Sequence, residues 1–220
     1  MGARTQGYAK PARRESPPSL RQRKEQAVRE AIWEAAVELF SKEGFDQTTV
    51  EEVAQAAGIS PRSFFRYFPS KGDVMAHGAL RFGEQLVAAI EECPESFTPG
   101  EVIRTAAEKV LASALSEPWS GKIFAILRQS EAARGAEMAR IPEVQRRVAA
   151  ALSRRLPPGA GRGITAYLLA GVALQVTGSL VRWCFEHRET DPSRALDCAM
   201  EACALVFASP RKTRGVRSSR

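Results

Sequence analysis

Apolar residues return along most of this chain at steps of three and four, and the strict alternation of a half-buried strand is absent. From Arg21 onward, Val28, Ala31, Ile32, Ala35, Ala36, Leu39 and Phe40 form one helical stripe, which predicts an amphipathic first helix. Gly44 stands where a left-handed C′ residue is wanted. Phe45 follows at C″, within reach of Phe40, so the spacing predicts a Schellman ending. A short helix comes next, with Val50, Val53, Ala54 and Ala57 on its apolar side and Gly58 as its stop. Thr48 with Glu51, or Thr49 with Glu52, has the spacing of a capping box at its start. Ser60-Pro61 supplies an N-cap and a pre-set first turn for a third helix, which Pro69 forbids from continuing. Ser70 with Asp73 then opens a longer helix from Lys71 to about Glu92.

Helical signals continue to the end. Thr98-Pro99-Gly100-Glu101 starts a helix with Val102, Ile103, Ala106, Val110 and Leu111 on one side. Pro118 opens another through Leu127, and Pro142 breaks a stretch that runs to about Leu156. The Pro157-Pro158-Gly159 linker precedes a long apolar helix over roughly 161–188, and Asp191-Pro192 caps a last helix ending near Ala208. The expected fold is all-α, with about nine helices. Ile164–Val181 is apolar enough to raise the question of a membrane span. Its marginal length, with Gln175, Thr177, Ser179, Gly171 and Gly178 inside it, favours the buried helix of a soluble protein.

Composition sharpens this picture in two places. A hydrophobic fraction of 44% in 220 residues supports a folded core. The net charge of +7 suggests nucleic acid, but it belongs to the ends: residues 1–24 carry +6 and residues 211–220 carry +5, leaving 25–210 at −4. Basic tails suit phosphate attraction and a solubilising role equally well. Cys93, Cys184, Cys198 and Cys203 form no CxxC pair and lie at no zinc spacing from His77 or His187, so reduced thiols and no metal or cofactor are expected. The N-terminus has no apolar signal segment, and a cytoplasmic location is expected. An enzyme reading finds neither triad-like spacing nor a glycine-rich phosphate loop. A purely architectural helical protein would leave the capped helices at 48–68 unexplained.

Those helices carry the chemistry. Two short helices joined by Ala57-Gly58-Ile59 make a helix-turn-helix, with Gly58 required because the turn needs positive φ. Val53, Ile59 and Phe64 would pin the pair, exposing Pro61, Arg62, Ser63 and Arg66 to a major groove.

The run from Thr48 through Gly58-Ile59-Ser60-Pro61-Arg62-Ser63-Phe64-Phe65-Arg66-Tyr67-Phe68-Pro69-Ser70-Lys71 closely resembles the tetracycline-repressor (TetR) family, over about 50 residues from Val28 to Val74. The resemblance implies that Pro61, Arg62, Ser63 and Phe65 meet bases, with Arg62 or Arg66 pairing with guanine. It implies that Thr48 and Thr49 contact phosphate at a helix N-terminus, and that Tyr67 and Lys71 clamp phosphates. Glu51 stands where some members place a base-reading Arg, and an acid would repel phosphate there. Four segments follow: a flexible basic arm over 1–20, a DNA-binding domain over 21–70, a ligand-binding and dimerisation domain over 71–208, and a basic tail over 209–220. Family likeness further implies a homodimer on a near-palindromic double-stranded operator, released by a small-molecule effector, hydrophobic or acyl-CoA-like, with no membrane partner. Apolar candidates for the ligand pocket are Phe82, Leu86, Leu111, Trp119, Phe124, Tyr167 and Trp183, and the polar ones are Arg128 and Gln175. Gly171 and Gly178 are expected to admit a partner helix, next to a stripe of Leu196, Met200, Cys203 and Phe207 on the last helix.

Overall fold

The computed structural model describes residues 19–189 and 191–207. Most of the expected basic arm and the whole tail over 209–220 lie outside the described residues. Ten helices follow one another, with no strand among the described residues. They are α1 (Leu20–Glu43), α2 (Val50–Ala56), α3 (Pro61–Tyr67), α4 (Lys71–Glu91) and α5 (Pro99–Ser116). The rest are α6 (Pro118–Gln129), α7 (Glu131–Met138), α8 (Ile141–Arg155), α9 (Arg162–His187) and α10 (Pro192–Phe207). The expected nine become ten because the stretch before Leu156 is two helices. The break falls beside Pro142, as expected: it sits in the first turn of α8, where its missing N–H has no intrahelical partner to lose.

The caps explain where most of these helices start. Thr49 Oγ1 accepts from the Glu52 N–H while the Glu52 carboxylate accepts from the Thr49 N–H at 2.7 Å, so the second of the two alternative capping boxes forms. Thr98 and Glu101 repeat the arrangement on α5. Asp191 caps α10 by accepting from the Arg194 N–H at 3.0 Å. The end of α1 differs from the expectation. Gly44 has φ 92° and ψ 143°, positive but extended, and its N–H donates to the Phe40 carbonyl. The expected ring contact survives, with Phe40 and Phe45 edge-on at 4.9 Å.

The buried face of α1 is Ile32, Trp33, Ala36, Val37 and Phe40, a rotation away from the predicted stripe, and Ala31 is exposed. The cause is that α1 is contacted from two sides. Its α2 and α4 side meets Val53, Phe64 and Val74, while Trp33 turns towards α6 and stands edge-on to Trp119 at 6.1 Å. A second core fills the space between α4, α5, α8 and α9, around Leu86, Ile90, Val110, Val148 and Leu152. There α4 and α8 approach closely because Gly83 has no side chain: a Cβ at that position would stand 2.5 Å from Val144 Cγ1.

Helix α9 is long and apolar enough to cross a membrane by length and composition alone. It packs on α5, α8 and α10, but only 39% of its most apolar window is buried, less than a core helix would show. The expected dimerisation glycines have other neighbours. Gly171 lies against Gln145, and both Gly171 and Gly178 border an interior cavity. Leu196, Met200 and Cys203 pack inside the chain against Leu111, Val176 and Leu180. The Phe207 side chain lies outside the described residues.

Candidate nucleic-acid interface and interior cavity

Helix α3 is held by a turn and a clamp. Gly58 takes φ 69°, the left-handed region that the tight α2–α3 turn demands. Val53 and Phe64 are fully buried and Ile59 packs beside them, so the two short helices share one small core. Arg29 of α1 then donates to the Tyr67 carbonyl at 2.7 Å, a cation at the C-terminal end of α3. Its guanidinium also lies 5.4 Å from the centre of the Phe68 ring.

The outer face of α3 presents Pro61, Arg62, Phe65 and Arg66 to solvent. Arg62 has no hydrogen bond or ion pair among the described residues. Phe65 is 53% exposed, a large apolar area beside the buried Phe64 and Phe68. Arg66 covers the Tyr67 ring at 4.8 Å and donates to its hydroxyl at 2.9 Å, so the two side chains form one polar shelf. Ser63 is half-buried, with its hydroxyl 3.0 Å from that of the Ser60 cap.

Two expected phosphate contacts are placed otherwise. Thr48 is only 1% exposed and its hydroxyl donates to the Gly44 carbonyl at 2.8 Å, so it ties the α1–α2 turn instead of facing outward. Lys71 spends all three N–H donors on carbonyls, those of Phe45 at 2.7 Å and of Asp46 and Thr48 at 3.0 Å. Its ammonium also sits 4.9 Å from the Phe45 ring centre. Lys71 is therefore a staple between α4 and the turn before α2. Thr49 remains exposed, although its hydroxyl is shared with Glu52.

Behind the head lies a cavity of about 380 Å³, walled by α1, α4, α5, α6, α7, α8 and α9. Of the nine pocket candidates, Phe82, Phe124 and Gln175 line it. Leu86 and Leu111 are spent in the two body cores, and Trp119 packs on Trp33. Arg128 is exposed, Tyr167 is 42% exposed, and Trp183 is 50% exposed and stacked on His187. None of these six faces the cavity. The wall residues missed from sequence include Trp33, Arg81, Gln145, Glu137 and Arg182. Arg81 lies 4.2 Å over the Trp33 ring and is paired with Glu30 of α1.

An exposed, capped helix-turn-helix in front of a helical body has the form of a DNA-reading head carried on a second helical unit. Residues 32–77 match the family described as bacterial regulatory proteins, tetR family. The chain is similar to the HTH-type transcriptional regulator TcmR of Streptomyces glaucescens, 38% identical over 103 residues, 46% of each chain. It is also 29% identical to RutR of Escherichia coli K12 over 104 residues, 47% of this chain and 49% of that one. The chain thus spans about half the length of the regulators it matches. Among solved structures, NalD of Pseudomonas aeruginosa superposes with a TM-score of 0.54 at 22% identity, covering 81% of this chain and 95% of that one. FadR of Bacillus halodurans gives 0.54 at 16%, covering 82% and 95%. At such identities these two likenesses show the fold alone.

Proposed function

We propose that the chain is a transcriptional regulator that binds a near-palindromic operator as a homodimer and leaves it when a small molecule enters the cavity. The observation that carries this reading is the outer face of α3, where Arg62 is exposed and, among the described residues, unpaired beside Phe65 and Arg66. Arg is suited to guanine O6 and N7, and an exposed aromatic ring beside it suits the thymine methyl or the sugar edge. Pro61, Ser63, Thr49 and Tyr67 complete the contact surface. Lys71 and Thr48 act behind it. The names of the related proteins, HTH-type transcriptional regulators, support the same reading.

General recognition geometry supports pairing, because one such head reads only a half-site and two would stand about one helical turn apart. Helix α9 offers the surface: Ile164 and Leu168 are each 61% exposed, with Tyr167 and Trp183 on the same helix. Water-exposed apolar area on this scale suits a second copy. Effector control enters through α4, which begins at the Lys71 staple and carries Phe82 into the cavity wall. A shift of α4 moves the two heads out of register.

Footprinting on the DNA upstream of the chain's own gene tests the reading. The expected result is a protected, two-fold-symmetric site that is lost with Arg62→Ala while the helical circular dichroism is kept. A folded protein that stays monomeric and ignores that DNA at low salt would refute it.

A further inference from the structure

The charged groups around the cavity are Arg81, Glu117, Glu137 and Arg182, and they are unequally satisfied. Arg81 is paired with Glu30 and stacked on Trp33. Glu117 accepts from Gln85 Nε2 at 3.2 Å. Arg182 is exposed at the rim, where water solvates it. Glu137 is different. It lies on α7, half-buried at the inner wall, and among the described residues its carboxylate has neither a hydrogen bond nor an ion pair. A carboxylate withdrawn from water without a partner is costly, and a donor or cation brought to it recovers that cost. Burial pushes the Glu137 pKa up from the ordinary carboxylate range, with Arg182 opposing only in part.

The remaining wall sets the shape of what would bring that donor. Trp33, Phe82 and Phe124 supply aromatic surface, and Ile141 and Leu174 supply aliphatic surface. Aromatic rings attract a cation as well as a flat apolar body. A volume of 380 Å³ is at the small end of ligand cavities. Among the described residues it offers no cluster of cations for the phosphates of a CoA thioester, since Arg182 is the one wall cation there not already engaged.

We propose that the cavity takes a small, flat, largely apolar molecule bearing one protonated amine, and that the Glu137 carboxylate holds that amine. This inference rests on the effector reading above and specifies the ligand class for the same cavity.

Isothermal titration of the full chain without DNA tests it, using 9-aminoacridine as the cation, acridine as its neutral analogue and acridine-9-carboxylate as the anion. The expected order is cation first, with the amine binding about tenfold or more tighter than acridine. Glu137→Gln should bring the two to parity while acridine affinity stays unchanged, which also shows that the variant is folded. Arg182→Gln should tighten the cation by removing a competing charge. Equal binding of cation and anion, or octanoyl-CoA binding more tightly than 9-aminoacridine, would overturn the proposed ligand class and leave the cavity as an effector site. Failure of all four molecules to bind would overturn the ligand class and count against the effector reading too, whereas operator binding by the same sample would still support the DNA-reading head.

Discussion

Replacing Lys71 by methionine keeps the apolar stem and removes the ammonium, which separates two roles for this residue. In the structure the ammonium bonds three carbonyls, and two of them belong to the buried residues Phe45 and Thr48. The third, on Asp46, is exposed and would be rehydrated. Leaving a buried carbonyl unpaired costs on the order of 1–1.5 kcal/mol, and the cation over the Phe45 ring adds about 0.5 kcal/mol. The expected loss in urea denaturation is therefore about 2.5–3.5 kcal/mol. Gel shifts on the operator over a range of salt supply the second readout. If Lys71 is a staple, its loss loosens the turn before α2, so affinity falls while the slope of log K against log salt stays the same. A phosphate clamp would give the opposite pair, a stability change under about 0.5 kcal/mol and a slope lower by about one. That pair would refute the assignment of Lys71 as a staple.

Arg62→Ala should cost about 1–3 kcal/mol of operator affinity and relax preference at one base pair per half-site, measured by selection from a randomised operator. His77 faces Phe68 at 5.5 Å, and burial, then Arg81 and Arg29, lower its pKa to about 4. Because the unfolded chain binds that proton more readily, stability is lost as pH falls from 6.5 towards 4. The expected loss is on the order of 2 kcal/mol at pH 4, allowing for the ring's residual solvent contact. His77→Phe should flatten that part of the wild-type curve in denaturation titrations at stepped pH, and an unchanged slope would count against it. Gly83→Ala should destabilise by about 1–3 kcal/mol through overpacking on Val144, and Gly83→Ala with Val144→Ala should recover part of that loss.

The reading head was legible because its determinants are local. Thr49 and Glu52, Ser60 and Pro61, and the glycine at 58 each act within a few residues of themselves, so spacing alone places the caps, the turn and the outer face of α3. Long-range partners were not legible. The spacing of Thr48 to Glu51 is as good as that of Thr49 to Glu52, and only the fold of the turn decides that Thr48 is buried. Lys71 at a helix start looks like a phosphate ligand until the carbonyls of Phe45 and Asp46 arrive from 26 and 25 residues away. The body is harder still. Large apolar and aromatic residues on apolar stripes are natural pocket candidates, but Leu86 and Leu111 lie in cores and Tyr167 is partly exposed. Periodicity identifies a helix's buried side without saying whether it meets another helix or a void.

Trp33 shows what that ambiguity conceals. It belongs to α1, the first helix of the reading head, yet it forms part of the cavity wall and carries Arg81 of α4 on its face. Arg81 in turn reaches back to Glu30, one helical turn before it on α1. A molecule entering the cavity therefore meets the head through a single side chain, without an intervening layer of packing. For the proposed regulator this lowers what the ligand must accomplish. A tens-of-fold change in operator affinity corresponds to a coupling of about 2 kcal/mol, comparable to one stacked cation and one half-buried ion pair. Both are present at the same contact. If Arg81 is displaced from Trp33, α4 loses a tie to α1.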